Sequence, residues 1–151
     1  MSRRVLWSLF LTVGVAIAGL MFLNAGPVKA SAVTVYKDPY CGCCDAWVDH
    51  LRASGFSVRV RERTDMAAVK AQIGIPTNLQ SCHTATISEY VIEGHVPAAD
   101  IARLLDERPE ARGLAVPGMP IGSPGMEGPN PRPYASLLFS GSGEAAVFAR
   151  H

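Results

Sequence analysis

Apolar and polar positions along the chain form three successive kinds of pattern. Residues 5–23 are an unbroken run without charge. Short β-rich and helical stretches follow. Ala32-Val33-Thr34-Val35-Tyr36 predicts a strand, which Asp38-Pro39 breaks. Cys44, Trp47, Val48 and Leu51 then repeat at i, i+3, i+4, i+7, with Asp45, Asp49 and Arg52 opposite. That spacing predicts a helix, stopped at Gly55. Residues 56–60 alternate and predict a second strand, so the segment reads as a βαβ unit with parallel strands. Asp65 is placed to cap a short helix through Met66, Val69 and Ile73, ended by Gly74-Ile75-Pro76. Residues 90–93 predict a strand closed by Gly94, and residues 98–108 a helix with Ile101, Leu104 and Leu105 on one face. Residues 134–139 and 145–148 predict two late strands joined by a Gly-rich turn.

The third pattern is residues 113–133, where 11 of 21 positions are Gly or Pro. Neither helix nor sheet is expected there, and so long a loop in a compact domain usually has a use. The whole predicts an α/β fold: a central mixed sheet flanked by helices, with a long Gly/Pro-rich loop.

Charge changes the reading of the first pattern. Arg3 and Arg4 precede the apolar run, Gly26-Pro27 ends it, and Val28-Lys29-Ala30 fits a small-x-small cleavage site. Residues 1–30 are therefore expected to be a bacterial signal peptide, and residues 31–151 a single domain in the periplasm. The alternative is an uncleaved inner-membrane anchor facing the periplasm, because 19 apolar residues nearly span a bilayer core of ~30 Å. The remainder carries 11 Lys and Arg against 13 acids, with no basic run, which argues against nucleic acid as a partner.

Candidate chemistry lies in the cysteines. Three of the four, Cys41, Cys43 and Cys44, fall within four positions, and Cys82 stands apart. In an exported protein four cysteines first suggest two disulfides. Only Cys41–Cys44 is a comfortable local pair, and it would leave Cys43 to find Cys82. Cys41-Gly42-Cys43-Cys44 contains a C-x-x-C at a strand-to-helix turn, where thioredoxin-like proteins keep theirs. Helix N–H groups there favour a thiolate. A disulfide exchanger needs one attacking and one resolving cysteine, and Cys43 would be a liability to it. A soft-metal site gains from the third sulfur, because thiolates prefer Cu(I) and can bridge ions. The loop Ser81-Cys82-His83-Thr84 is expected at the same rim. His83 and His95 are candidate nitrogen ligands, and Met119 and Met126 thioether donors if their loop folds over the cysteines. Thioether with thiolate favours copper over zinc. His50 reads as a surface residue and His151 as uninformative. No hydrolytic set is evident: Ser81 and His83 are two apart, and residues 118–128 open no helix to cradle a phosphate.

Four stretches together resemble one family. They are Cys41-Gly42-Cys43-Cys44, Ser81-Cys82-His83-Thr84, Glu93-Gly94-His95-Val96-Pro97, and Ala115-Val116-Pro117-Gly118-Met119-Pro120 continuing through Gly122-Ser123-Pro124-Gly125-Met126-Glu127. In this order, over about residues 33–140, they resemble the CopG-like periplasmic metal-binding proteins, long catalogued as a domain of unknown function. The resemblance implies a thioredoxin-like fold, copper binding by the four cysteines, and a role in copper resistance beside export systems. It raises Met119, Met126, His83 and His95 as auxiliary ligands. The expected function is to sequester, hand on or redox-convert copper, with several Cu(I) ions per chain. The rival is a thiol–disulfide oxidoreductase using Cys41 and Cys44, against which no Pro stands directly before Tyr90. A third reading is a partner-binding domain braced by two disulfides.

Overall fold

The computed structural model describes residues 32–151. The expected signal peptide, residues 1–30, lies outside the described residues. The elements are β1 (Val33–Lys37), α1 (Gly42–Ala53), β2 (Val58–Glu62), α2 (Met66–Ile73), a 3₁₀ turn (Thr77–Leu79), β3 (Thr84–Ile87), β4 (Tyr90–Glu93), α3 (Ala98–Glu107), β5 (Gly113–Ala115), β6 (Ala135–Phe139) and β7 (Ala145–Arg150). The seven strands form one sheet in the order β2-β1-β3-β4-β5-β6-β7. β1–β2 and β4–β5 run parallel and the other neighbours antiparallel. A mixed sheet flanked by three helices is the α/β architecture that the sequence predicts, and it fits a thioredoxin-like fold.

Each face of the sheet has its own core. Val33 and Val35 of β1 pack with Trp47, Val48 and Leu51 of α1 and with Ile101 and Leu104 of α3. On the other side Val91, Ala115 and Phe139 pack with Ile75 and Leu79. Successive strand residues point to opposite faces, so Val91 and Ile92 serve different cores. The predicted face of α1 holds in full: Cys44, Trp47, Val48 and Leu51 are its buried residues. Asp65 caps α2 by accepting the Ala68 N–H at 2.9 Å, and Gly74 ends it in the left-handed conformation.

Two strands depart from expectation. Thr84–Ile87 forms β3, where a loop alone was expected before Tyr90. Gly113–Ala115 forms β5 inside the stretch expected to lack regular structure. Gly113 lies so close to the Val91 carbonyl that any Cβ would overlap it; the glycine that argues against a strand is what lets this one approach β4.

The topology collects one set of chain ends. Tyr36, Thr84, Glu93 and Ala115 pair in succession across β1, β3, β4 and β5. β1 ends, β3 begins, and β4 and β5 end at this same edge of the sheet. Cys41 follows β1, Cys82 and His83 precede β3, His95 follows β4, and Met119 follows β5.

Candidate metal centre

The turn after β1 is built by local bonds. Asp38 Oδ1 accepts the Tyr40 N–H at 2.8 Å, and the Asp38 carbonyl accepts the Cys41 N–H at 3.1 Å. Lys37, almost fully buried, ties the strand end to the first helical turn through Asp45 Oδ1 at 3.0 Å. Cys41 is the N-cap of α1 and makes no side-chain cap bond, so the first helical N–H groups are left without that partner. Cys41 and Cys44 are joined as a disulfide, while Cys43 and Cys82 are free.

The remaining sulfurs crowd this bridge. Cys41 and Cys43 Sγ are 3.5 Å apart, Cys44 and Cys82 Sγ 3.4 Å, and Cys43 and Cys82 Sγ 4.0 Å. Sulfurs sharing one tetrahedral ion at ~2.3 Å would lie roughly 3.8 Å apart, so these separations suit a common ion once the bridge is reduced. The second disulfide of a braced domain, Cys43–Cys82, is not formed.

A second donor group shares Cys82. Its Sγ lies 3.2 Å from His83 Nδ1 and 3.1 Å from His95 Nε2. The two sets, Cys41/Cys43/Cys44/Cys82 and Cys82/His83/His95, each hold their donor atoms within 4.8 Å of one another. His95 Nδ1 donates to the Pro124 carbonyl at 2.8 Å, which leaves a lone pair on the Nε2 of the neutral ring, facing Cys82. His83 is buried against Trp47, with ring centres 4.3 Å apart, and meets His95 edge-on at 4.9 Å. Trp47 is fixed by its own Nε1–H bond to the Val96 carbonyl at 2.8 Å. His83 Nε2 is buried and has no hydrogen-bond partner among the described residues. It is the other ring nitrogen, Nδ1, that faces the Cys82 sulfur, and a buried imidazole nitrogen set against a thiol suits a soft cation.

Burial sets the protonation of this group. Burial, then the neighbouring Cys43, pushes the Cys82 thiol up to about 12. Burial holds His83 well below its ordinary value, and His95 and Lys70 add to that; His95 is lowered by burial too. In the absence of a cation the group is thus a thiol and two neutral imidazoles. A thiophilic cation would displace the thiol proton and take the bare nitrogens as they stand.

The Gly/Pro-rich segment lies over α1. A Cβ on Gly125 would meet the Cys43 carbonyl at 2.6 Å and the Trp47 amide nitrogen at 2.7 Å, so this strap passes in backbone contact with the cysteine turn. Ser81 Oγ binds the Gly118 carbonyl, and Gly118 N–H the Gln80 carbonyl at 3.1 Å, anchoring the strap beside Cys82. It carries Met126, half-buried, and Met119, which is 53 % exposed.

Two histidines are other than expected. His50 is half-buried and its Nε2 accepts the Ala98 N–H at 3.1 Å, at the start of α3, rather than facing solvent. His151, expected to be uninformative, stacks on Tyr134 and lies 2.8 Å from Asp100 Oδ2. Sequence reasoning missed Lys70, Thr84 and Glu93, a buried polar set beneath Cys82 and His83. One signal was present: Met66, Val69, Lys70 and Ile73 share the spacing of a helix face, which puts the lysine on the inner side of α2.

A family model described as "Protein of unknown function, DUF411" matches residues 79–126. No curated protein matches the chain by sequence. Two solved structures match it in fold and sequence. "Copper resistance protein copG, Form 2" is 46 % identical with a TM-score of 0.77, over 82 % of this chain and 99 % of that one. "Form 1" is 46 % identical with a TM-score of 0.76, over 82 % and 98 %. At this identity and coverage the chain belongs to the family of these CopG proteins.

Proposed function

We propose that this chain is a periplasmic copper-binding protein that gathers Cu(I) on a shared thiolate cluster and contributes to copper resistance. One observation carries the reading: Cys82 belongs to both donor groups, so one sulfur can bridge an all-sulfur position and a sulfur–imidazole position. Cys41, Cys43, Cys44 and Cys82 are the proposed primary ligands. His95 and His83 offer nitrogens from the buried side, and Met119 and Met126 offer thioethers from the strap. The names of the related structures and the softness of the donors both support copper. Periplasmic location, in cleaved or anchored form, and delivery to an export system are part of the proposal and rest on the sequence.

The cluster needs four thiolates, and so a reduced Cys41–Cys44 pair. That pair also supplies a route for copper redox conversion. Two thiolates joining as a disulfide release two electrons, enough to take two Cu(II) to two Cu(I). The same bridge favours the second reading, thiol–disulfide exchange, in which an external thiolate attacks the Cys41–Cys44 bond.

The test is a metal count. The reduced protein is loaded with Cu(I) without oxygen, freed of loosely bound metal, and assayed for copper per chain. More than one ion per chain is expected, falling in Cys43→Ser. Unchanged capacity in Cys43→Ser would sink the shared cluster. Disulfide turnover that survives Cys43→Ser and Cys82→Ser, with no copper retained, would establish the exchanger instead.

A further inference from the structure

The buried charge beneath the Cys82 loop has no ligating role in this reading. Glu93 is fully buried and Lys70 nearly so, and their ion pair closes at 2.5 Å. Such a pair contributes little to stability, because desolvation offsets most of the attraction; what it can do is fix geometry. Here a single carboxylate grips both flanks of Cys82-His83. Oε1 accepts the Ser81 N–H at 2.7 Å, and Oε2 accepts the Thr84 hydroxyl at 2.6 Å. Lys70 Nζ reaches Thr84 Oγ1 at 2.9 Å and completes the triangle. Glu93 also sits two residues before His95. Between them Gly94 donates its N–H to the His83 carbonyl at 3.0 Å, and a Cβ on it would meet the Ser81 side chain at 2.5 Å.

We propose that Glu93 is the positioning residue of the Cys82–His83–His95 donor group, with Lys70 and Thr84 as the other corners of its clamp. One side chain thereby sets the distance between a sulfur on the loop before β3 and an imidazole after β4. The proposal rests on the copper-binding reading of the same site.

The experiment uses the full chain, reduced, with Cu(I) as the probe. A double variant, Glu93→Leu with Lys70→Met, keeps the volume filled and removes the clamp; apolar replacement of a buried pair is often neutral for stability. Cu(I) affinity is read by competition with a chromophoric chelator, and the metal-free protein is read by the alkylation rate of Cys82 and by urea unfolding. The expected result is a folded protein with a lowered urea midpoint, because the Ser81 N–H and the Thr84 hydroxyl lose their acceptor, together with faster alkylation of Cys82 and a loss of about 10–100-fold in Cu(I) affinity, the usual effect of removing an outer partner. Glu93→Gln keeps an acceptor for the Ser81 N–H and should recover most of that loss. A folded double variant with wild-type affinity and alkylation rate overturns the proposal. If the double variant does not fold, Thr84→Val decides in the same two readouts. If the wild type itself retains no Cu(I), the copper reading fails, and the alkylation rates alone judge the clamp.

Discussion

Cys41, Cys43 and Cys44 ride on the first turn of a helix, while Cys82 rides on a loop gripped from beneath. The helical turn is held by short-range bonds around Asp38 and by the ion pair from Lys37 to Asp45, an aspartate whose side chain is 59 % exposed. The loop is held by Glu93, Lys70 and Thr84, each buried and each from a different element. The difference is suited to a site where bonds must change on one side and geometry must persist on the other. Neither Cys41 nor Cys44 bonds to the Glu93–Lys70–Thr84 network, although Cys44 is buried with its sulfur 3.4 Å from that of Cys82.

The sharpest break of this contrast is to exchange cysteines across it. Cys82→Ser removes the sulfur common to both donor groups and should lower Cu(I) affinity by more than the about 10–100-fold typical of losing an outer partner. Cys43→Ser removes a sulfur from the helical side only and should lower capacity while leaving a tight site. Competition titrations on both variants check the order, and equal losses would erase the distinction between the two sides.

Acid should act mainly on the fixed side. His83 is held neutral in the folded chain, below the 6.5 it has when exposed, so the unfolded chain binds more protons below that pH. The stability this represents is present above pH 6.5 and is lost as pH falls. The urea midpoint of the metal-free protein should drop between pH 7 and pH 5, and the drop should shrink in His83→Gln. Above pH 9 the sign reverses through Cys82, whose proton is held up to about 12 only when folded.

A smaller effect belongs to the strap that joins the two sides. Gly125 has φ 81° and no room for a Cβ over α1. Gly125→Ala should cost about 1–3 kcal/mol in urea unfolding. It should also speed alkylation of Cys43 more than that of Cys82. Equal acceleration would mean that the strap covers both sides alike.

Much of this was legible in the chain itself. The βαβ unit and the α1 face follow from spacing that local structure respects, and the meeting of Cys82 with the cysteine turn follows from the likeness to a thioredoxin-like fold. β3 was hidden because Thr84–Ile87 is four residues long and β-branched at only three of them, too short for a pattern to show. β5 was hidden because glycine content argues against a strand unless a neighbour needs to come close. Lys70 and Glu93 were hidden for another reason. A charged side chain reads as solvent-facing, and only the pairing of β3 with β4 brings Glu93 under a loop twelve residues back. Sequence pattern reports faces; it does not report which charges find each other inside.

The alternation of strands has a practical side. All the donor segments leave the sheet at one edge, so the connections at the opposite edge, such as Ser88-Glu89 between β3 and β4 or Gly141-Ser142 between β6 and β7, are far from them in the weave. Exposed hairpin tips of this kind tolerate inserted sequence. A fluorescent reporter or an affinity handle spliced into the β6–β7 tip would leave the edge that carries the cysteines and histidines unencumbered.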